Sequence, residues 1–258
     1  MARKAVYRRN LDDAPRPVAA MAASWAAGAE IPFHMHRRGQ LLYAVTGIMR
    51  VETQDAAWIV PPARALWLPS RFPHSVTMRS QIEMRTVYIE ETACAELPAR
   101  PTFIEVGGLL RELILAALEE PPDYDEDGRG GQIARLILTE LRHMHERPLS
   151  VPMPRDPRVL RVVRALLDAP AIDRDLDHWA AEAGASRRTL ARLFRAETGL
   201  SFAEWRAHLR AIEGLALLST GASVAASARS VGYASPSAFS AMVRKNRGAS
   251  PRLLARTS

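Results

Sequence analysis

Ser186 to Ala211 read SRRTLARLFRAETGLSFAEWRAHLRA, and the spacing inside this stretch decides how the second half of the chain is built. Ser186 is a natural helix cap, because its short side chain accepts from a backbone N–H at the start of a helix. Behind it, Leu190, Leu193 and Phe194 recur at helical spacing and predict one buried face. The same period leaves Arg187, Arg188, Ala191, Arg192 and Arg195 on the outside. Upstream, LDHWAAEAGA (Leu176 to Ala185) predicts a short helix containing Leu176, Trp179 and Ala180, capped by Asp175 or Asp177. Gly184 permits a sharp turn between the two helices. Four arginines on the outer face of the second helix suit insertion into a DNA major groove. A guanidinium can hold guanine O6 and N7 with two bonds, and it can also pin phosphates.

The layout recurs. SVAASARSVGYASPSAFSAMVRKNRGASP (Ser223 to Pro251) predicts a small-residue helix, a turn at Gly232-Tyr233, a capping Ser235, and a second helix buried through Phe239, Met242 and Val243. The capping serines 186 and 235 stand 49 residues apart, and TGLS at 198–201 echoes RGAS at 247–250. Between them FAEWRAHLRAIEGLALLSTG reads as one long helix with Phe202, Trp205, Leu209, Ile212 and Ala216 inward. A rigid connecting helix can set two such units in successive major grooves, about 34 Å apart. Charge agrees: residues 1–150 hold 18 basic and 19 acidic residues, whereas residues 151–258 hold 17 and 9. Of the 35 basic residues 33 are Arg, which a composition bias explains; bias does not explain why only one half is net positive. A basic domain implies a polyanionic partner.

These two stretches, in this order over roughly residues 157–256, resemble the AraC/XylS class of bacterial transcription regulators. The resemblance implies that Arg188 and Arg192 read bases, with Arg187, Ala191 and Arg195 beside them. The second unit departs from the pattern. Ala241 stands where many members have Arg, and Val243 and Arg247 replace usual aromatics. Ser235, Ser237, Ser240, Arg244 and Lys245 are therefore expected to meet phosphate more than bases.

The first half is patterned differently. From about Met21 to Ile89, runs such as QLLYAVTG, MRVETQ, AWIVPP, ALWLP and MRTVYIE alternate with Gly, Pro and polar turns, the signature of an antiparallel barrel or sandwich. From about Glu105 the period becomes helical. Leu109, Leu110, Leu113, Ile114 and Leu118 form one stripe, and Ile133, Leu136, Ile137, Leu141 and Met144 another. These stripes suit packing on the barrel or on a second subunit, and a homodimer is expected. RPLSVPMPRDP (Arg147 to Pro157) holds four prolines, breaks helices, resists strand pairing and marks the domain boundary. The single cysteine, Cys94, excludes an internal disulfide framework and a cysteine-cluster zinc site. No apolar run approaches the ~18–20 residues of a membrane span and no secretory h-region is visible, so a cytoplasmic protein without membrane contact is expected.

Within the barrel segment, Gly28, His34-x-His36, Gln40 and Gly47 resemble the first cupin motif, with Gln where Glu is usual. PSRFPHSV (Pro69 to Val76) resembles the second motif, with Arg71 where Gly is usual and Met78 where Asn is usual. In metal-bearing cupins the matching positions hold one divalent ion; here they are His34, His36, Gln40 and His74. Strand alternation puts His34 and His36 on one face. Three imidazoles and an amide oxygen suit Zn, Ni, Fe or Mn. Loss of the carboxylate removes a charge that would hold a dication, so a metal-free pocket in which these side chains hydrogen-bond an effector is the competing reading. Trp58 and Trp67, with Tyr43 and Tyr88, are candidate apolar walls of that effector pocket.

The expected fold class is α+β: a cupin-like β-barrel followed by helices, then an all-α domain with two helix-turn-helix units. The expected boundaries are a flexible arm at 1–20, the sensing barrel at 21–100, a helical dimerisation region at 101–147, a Pro-rich linker at 148–157 and the DNA-binding domain at 158–258. The expected function is a sequence-specific transcriptional regulator, activator or repressor, whose barrel senses a small molecule or metal. Its partners would be promoter DNA, that effector and RNA polymerase. The alternative is a cupin-type metal enzyme, an oxygenase or isomerase, fused to a DNA-binding module; no acid–base pair accompanies the histidines to favour it.

Overall fold

The computed structural model describes residues 11–143 and 150–251. The chain divides into two compact units, residues 1–51 with 60–148, and residues 52–59 with 149–258.

The first unit is built on an antiparallel sheet of strands β1 (Val18–Trp25), β8 (Ile82–Ile89), β3 (Gly39–Thr46), β6 (Arg64–Leu68) and β9 (Thr102–Glu105), in that spatial order. Register is set by alternation: Gln40 faces Tyr88 and Leu68 across its neighbours, and Leu41 faces Val87 and Trp67. A one-residue slip would turn every one of these side chains to the other side of the sheet. Leu41, Tyr43, Trp67, Val87 and Ile89 form one face and pack in a single cluster with helices α1 (Gly108–Ala117) and α2 (Arg129–Arg142). Gly39 lies on that face, where any Cβ would run into the Trp67 indole and the Cys94 sulfur. The unit's other sheet carries β4 (Met49–Glu52), β7 (His74–Met78) and β2 (Glu30–His34) in that order. A bulge in β2 between Ile31 and His34 resets the register so that His34 stands opposite His74.

Two expectations for this unit change. Residues 11–20 are not a loose arm: Leu11–Asp13 form a 3-10 turn, and Val18 opens β1 opposite Ile89. The buried Arg38 guanidinium holds the segment by donating to the carbonyls of Asp12, Ala14, Arg16 and Pro17. Residues 1–10 of that expected arm lie outside the described residues. The helix stripes are also narrower than expected. Leu110, Leu113, Ile114, Ile133, Ile137 and Leu141 are buried, but Leu109 and Leu136 are 57% and 46% exposed. Neighbours four apart fill the sheet-facing side, which rotates Leu109 and Leu136 outward. Met144 lies outside the described residues.

Among its described residues the second unit holds β5 (Ala56–Val60), β10 (Ser150–Pro152) and helices α3 (Pro157–Asp168), α4 (Leu176–Glu182), α5 (Arg187–Thr198), α6 (Phe202–Ser219), α7 (Val224–Ser230) and α8 (Pro236–Arg247). The Pro-rich stretch was expected to resist strand pairing, yet β10 lies in it and pairs antiparallel with β5, Val151 opposite Ala57. Proline is tolerated because β10 is a three-residue edge strand and Pro152 ends it. Three side chains of the helical domain then grip the stretch. The Trp205 indole donates to the Pro152 carbonyl at 2.9 Å, the His208 ring nitrogen Nε2 lies 2.8 Å from the Ser150 carbonyl, and Glu197 accepts from the N–H groups of Arg155 and Asp156.

Each helix of the repeated units starts on a side-chain cap: Asp175, Ser186, Ser223 and Ser235 all accept from a backbone N–H in the first turn. Such a cap contributes about 1 kcal/mol. The long α6 adds a reciprocal capping box between Ser201 and Glu204. α5 and α8 have the same length and both end on a left-handed glycine, Gly199 and Gly248. Trp179, Leu190, Phe194, Trp205 and Leu209 are all buried, and Phe194 stands edge-on to Phe202 and to Trp205. A core cluster gathers Ala211, Ala228, Val231, Phe239 and Val243.

Candidate DNA-binding and effector sites

The outer face of α5 carries Arg187, Arg188, Ala191, Arg192 and Arg195, all exposed. Their surroundings separate them. Arg187 is paired with Asp177 of α4, and Arg195 lies 3.4 Å from Glu204 of α6. Arg188 and Arg192, one helical turn apart, have no carboxylate partner among the described residues. Two unpaired guanidinium groups stacked at i and i+4 are free to reach a groove, whereas their neighbours must first leave a carboxylate. Exposed ion pairs are worth only ~0–1 kcal/mol, so a phosphate can displace Asp177 or Glu204.

In the second unit the arrangement is smaller. Ser235 is spent capping α8, and its hydroxyl also lies 3.0 Å from that of Ser237. Ser237, Ser240 and Arg244 line one hollow of about 300 Å³ with Ser250 and Pro251. Arg244 and Lys245 add positive charge in the last turn of α8 and are exposed. Hydroxyls and the Arg244 guanidinium around this hollow, with Lys245 next to Arg244 in sequence, offer donors to a phosphate.

In the first unit the bulged register of β2 brings His34, His36 and His74 together, with one ring nitrogen of each within 4.8 Å of the others. The ring centroids lie 4.8 Å (34–36), 4.3 Å (34–74) and 5.8 Å (36–74) apart. His34 Nδ1 is 2.8 Å from the Pro32 carbonyl and His74 Nδ1 is 2.9 Å from the Phe72 carbonyl. A carbonyl only accepts, so both Nδ1 atoms carry the proton and both Nε2 atoms keep a lone pair. His74 is almost wholly buried, and its Nε2 has no partner among the described residues. His34 Nε2 and His36 Nε2 are 3.1 Å apart. Two ligand nitrogens on a tetrahedral Zn²⁺ stand ~3.3 Å apart, so the spacing suits a shared ion. Burial holds the His74 imidazole down at about 4, opposed by the Phe72 carbonyl and reinforced by His34 and His36. Burial and then His34 lower His36 as well, with Asp12 opposing. Both rings are therefore neutral at physiological pH, the state a metal requires.

Gln40 joins this face through Tyr88. Its amide nitrogen donates to the Tyr88 hydroxyl at 3.0 Å, and the Tyr88 ring stands edge-on to His36 at 5.1 Å. The Gln40 carbonyl oxygen is buried without a partner among the described residues. Trp67 and Tyr43 are not brought to the histidines. Alternation puts them on the helix-facing side of the sheet, and the Trp67 indole donates to the Pro98 carbonyl. Trp58 sits on β5 opposite Ser150, in the second unit. Asp12 carries the signal that sequence reading missed: its carboxylate lies 3.9 Å from His36 Nδ1. Nothing local flags it, because it reaches the site from 24 residues away.

Residues 24–193 match the AraC-like ligand binding domain, and residues 179–257 match a helix-turn-helix domain. Over 226 residues the chain is 32% identical to the HTH-type transcriptional regulator NimR of Escherichia coli (strain K12), covering 87% of this chain and 82% of NimR. The chain belongs to the AraC family of helix-turn-helix transcriptional regulators. The HTH-type regulator RipA of Corynebacterium glutamicum is 35% identical over 106 residues, 41% of this chain and 32% of RipA. The DNA-binding domain of AdpA, a global transcriptional factor solved with a target DNA, is 31% identical over 39% of this chain and 91% of that one, with a TM-score of 0.37. As an AraC-family regulator the chain binds DNA through its helix-turn-helix domain and carries a ligand-binding domain ahead of it. The α+β class expected from the sequence is the one observed, a sheet domain followed by helices. No helix among the described residues is long and apolar enough to cross a membrane.

Proposed function

We propose that this AraC-family regulator is a cytoplasmic homodimer that reads promoter DNA through Arg188 and Arg192 and is controlled by a divalent metal, of the Zn, Ni, Fe or Mn class, held by His34, His36 and His74. The observation that carries the metal is the donor set: three imidazoles converge, two of them with Nδ1 committed to carbonyls and the third beside a carboxylate. Ligating histidines almost always donate their other ring N–H to such a partner, as His34 and His74 do. The buried, unpartnered His74 Nε2 gains its missing partner from the ion. Gln40, with an orphan carbonyl oxygen on the same face, is the candidate fourth donor or a contact for a small molecule that completes the coordination. Three neutral imidazoles hold an ion without neutralising it, so a bound dication attracts an anionic group.

Base reading is assigned to Arg188 and Arg192 because they are the unpaired cations of α5. Arg187, Arg195, Ser237, Ser240, Arg244 and Lys245 contact phosphate, Ser235 holds the α8 N-terminus, and Ala191 gives the groove room. Dimerisation is assigned to the outer faces of α1 and α2, where Leu109 and Leu136 stay exposed. The test of the metal is direct. Purified protein is analysed for bound metal, and His74→Ala is compared with it. The reading requires near-stoichiometric metal in the parent and none in the variant; a parent protein that takes up no divalent ion contradicts it.

A further inference from the structure

We infer that Asp12 is a positioning residue of the histidine site, its carboxylate selecting the imidazole tautomer in which His36 offers Nε2 to a divalent metal. The inference rests on the metal reading above.

His34 Nδ1 donates to the Pro32 carbonyl, so His34 Nε2 is a bare lone pair. His36 Nε2 lies 3.1 Å from it. Two lone pairs do not face each other at that distance, so without a metal His36 closes the gap by donating Nε2–H to His34. That tautomer leaves His36 Nδ1 bare and aimed at the Asp12 carboxylate, 3.9 Å away, lone pair against negative charge. The other tautomer places the proton on Nδ1, its positive end toward the Asp12 carboxylate 3.9 Å away, and frees Nε2. A metal needs the second arrangement. Asp12 therefore opposes the closed His34–His36 pair and favours the metal-ready ring.

The carboxylate is held for this task. Its Oδ1 accepts from the Arg37 N–H at 3.0 Å and from the Arg38 N–H at 3.4 Å, and its Oδ2 lies 3.9 Å from His36 Nδ1. Its backbone is fastened by the Arg38 guanidinium, which donates to the Asp12 carbonyl and to those of Ala14, Arg16 and Pro17. Both the Asp12 and His36 side chains are largely shielded, so solvent screens their interaction little. The segment before β1 is thus part of the site.

The experiment measures Zn²⁺ affinity of the full chain by competition with a chromophoric chelator, for the parent, D12N and D12A. Asn keeps an oxygen for the Arg37 and Arg38 N–H groups, so D12N retains the local fold. The expected result is a loss on the order of 10–100-fold in D12N, the usual cost of removing a carboxylate behind a ligating histidine. A second readout follows the proton: ¹⁵N shifts of the His36 ring, both proteins metal-free, report more Nδ1–H in the parent than in D12N. Zinc affinity equal in the parent and D12N overturns the role of Asp12 and leaves the metal reading standing. A parent that binds no zinc overturns both. A D12N protein that melts earlier yet binds zinc as tightly makes Asp12 a structural residue only, and also overturns the inference.

Discussion

Arg192→Ala gives the sharpest separation between base reading and simple charge. Arg192 is exposed on α5 and has no carboxylate partner among the described residues. Its removal therefore leaves the fold alone, within about 0.5 kcal/mol for a surface change of this kind. A bidentate arginine on guanine is worth ~1–3 kcal/mol of discrimination. At 1.4 kcal/mol per tenfold, that is about 5- to 150-fold in affinity for the specific duplex. Arg195 supplies the control. Its guanidinium already faces Glu204, so Arg195→Ala removes one phosphate contact, weakens all sequences alike, and lowers the salt slope by about 1. The assay is fluorescence anisotropy on a duplex selected by the parent protein and on a scrambled one, at several salt concentrations. Arg192→Ala should lose most of its affinity on the selected duplex and little on the scrambled one. Equal losses on both, or none on either, refute the assignment of Arg192 to bases.

Other expectations test other parts of the molecule. Because His74 is held at about 4 when folded and near 6.5 when unfolded, the unfolded state binds the proton first as pH falls. Through this group, chelator-treated protein should lose up to about 1.4 kcal/mol per pH unit as pH falls from about 6.5 to about 4, and His74→Ala should make the pH dependence shallower by that share. Leu136→Glu should turn a dimer into a monomer in sedimentation velocity without lowering the melting temperature, since Leu136 is exposed within the subunit; an unchanged dimer moves the interface elsewhere. Phe194→Ala should cost about 3–5 kcal/mol by opening a cavity beside Phe202 and Trp205, and chemical denaturation of the full chain reads this directly.

Local signals explain what was legible in the sequence. The helical domain could be read because its elements announce themselves: a serine cap, an apolar residue every three or four positions, then a turn glycine. Ser186, Leu190, Phe194 and Gly184 needed no partner from elsewhere to be understood. His34 and His36 were placed on one face by strand alternation, and the structure brings both to His74. What escaped depends on contacts distant in sequence. Trp67 looked like a pocket wall because its residue type suits one; only the register with Leu41 shows that it faces the helices. Leu109 and Leu136 fit their stripes by period, but the sheet accepts a narrower face than the period allows. Four prolines argued against β10, yet an edge strand ending in Pro152 needs few N–H groups. Asp12 had no sequence signal at all. Its carboxylate comes within 3.9 Å of His36 in a segment whose carbonyls the Arg38 guanidinium gathers.

If metal controls this regulator, occupation of the histidine site changes how tightly the helix-turn-helix domain holds its promoter. The most direct measurement titrates the full chain onto its selected duplex with saturating Zn²⁺ and again with excess chelator. Coupling between two sites of one regulator is typically worth 1–3 kcal/mol, so the two dissociation constants should differ by about 5- to 150-fold, and His74→Ala should abolish the difference. Superimposable isotherms with and without zinc, from a protein shown to bind the ion, would contradict the account.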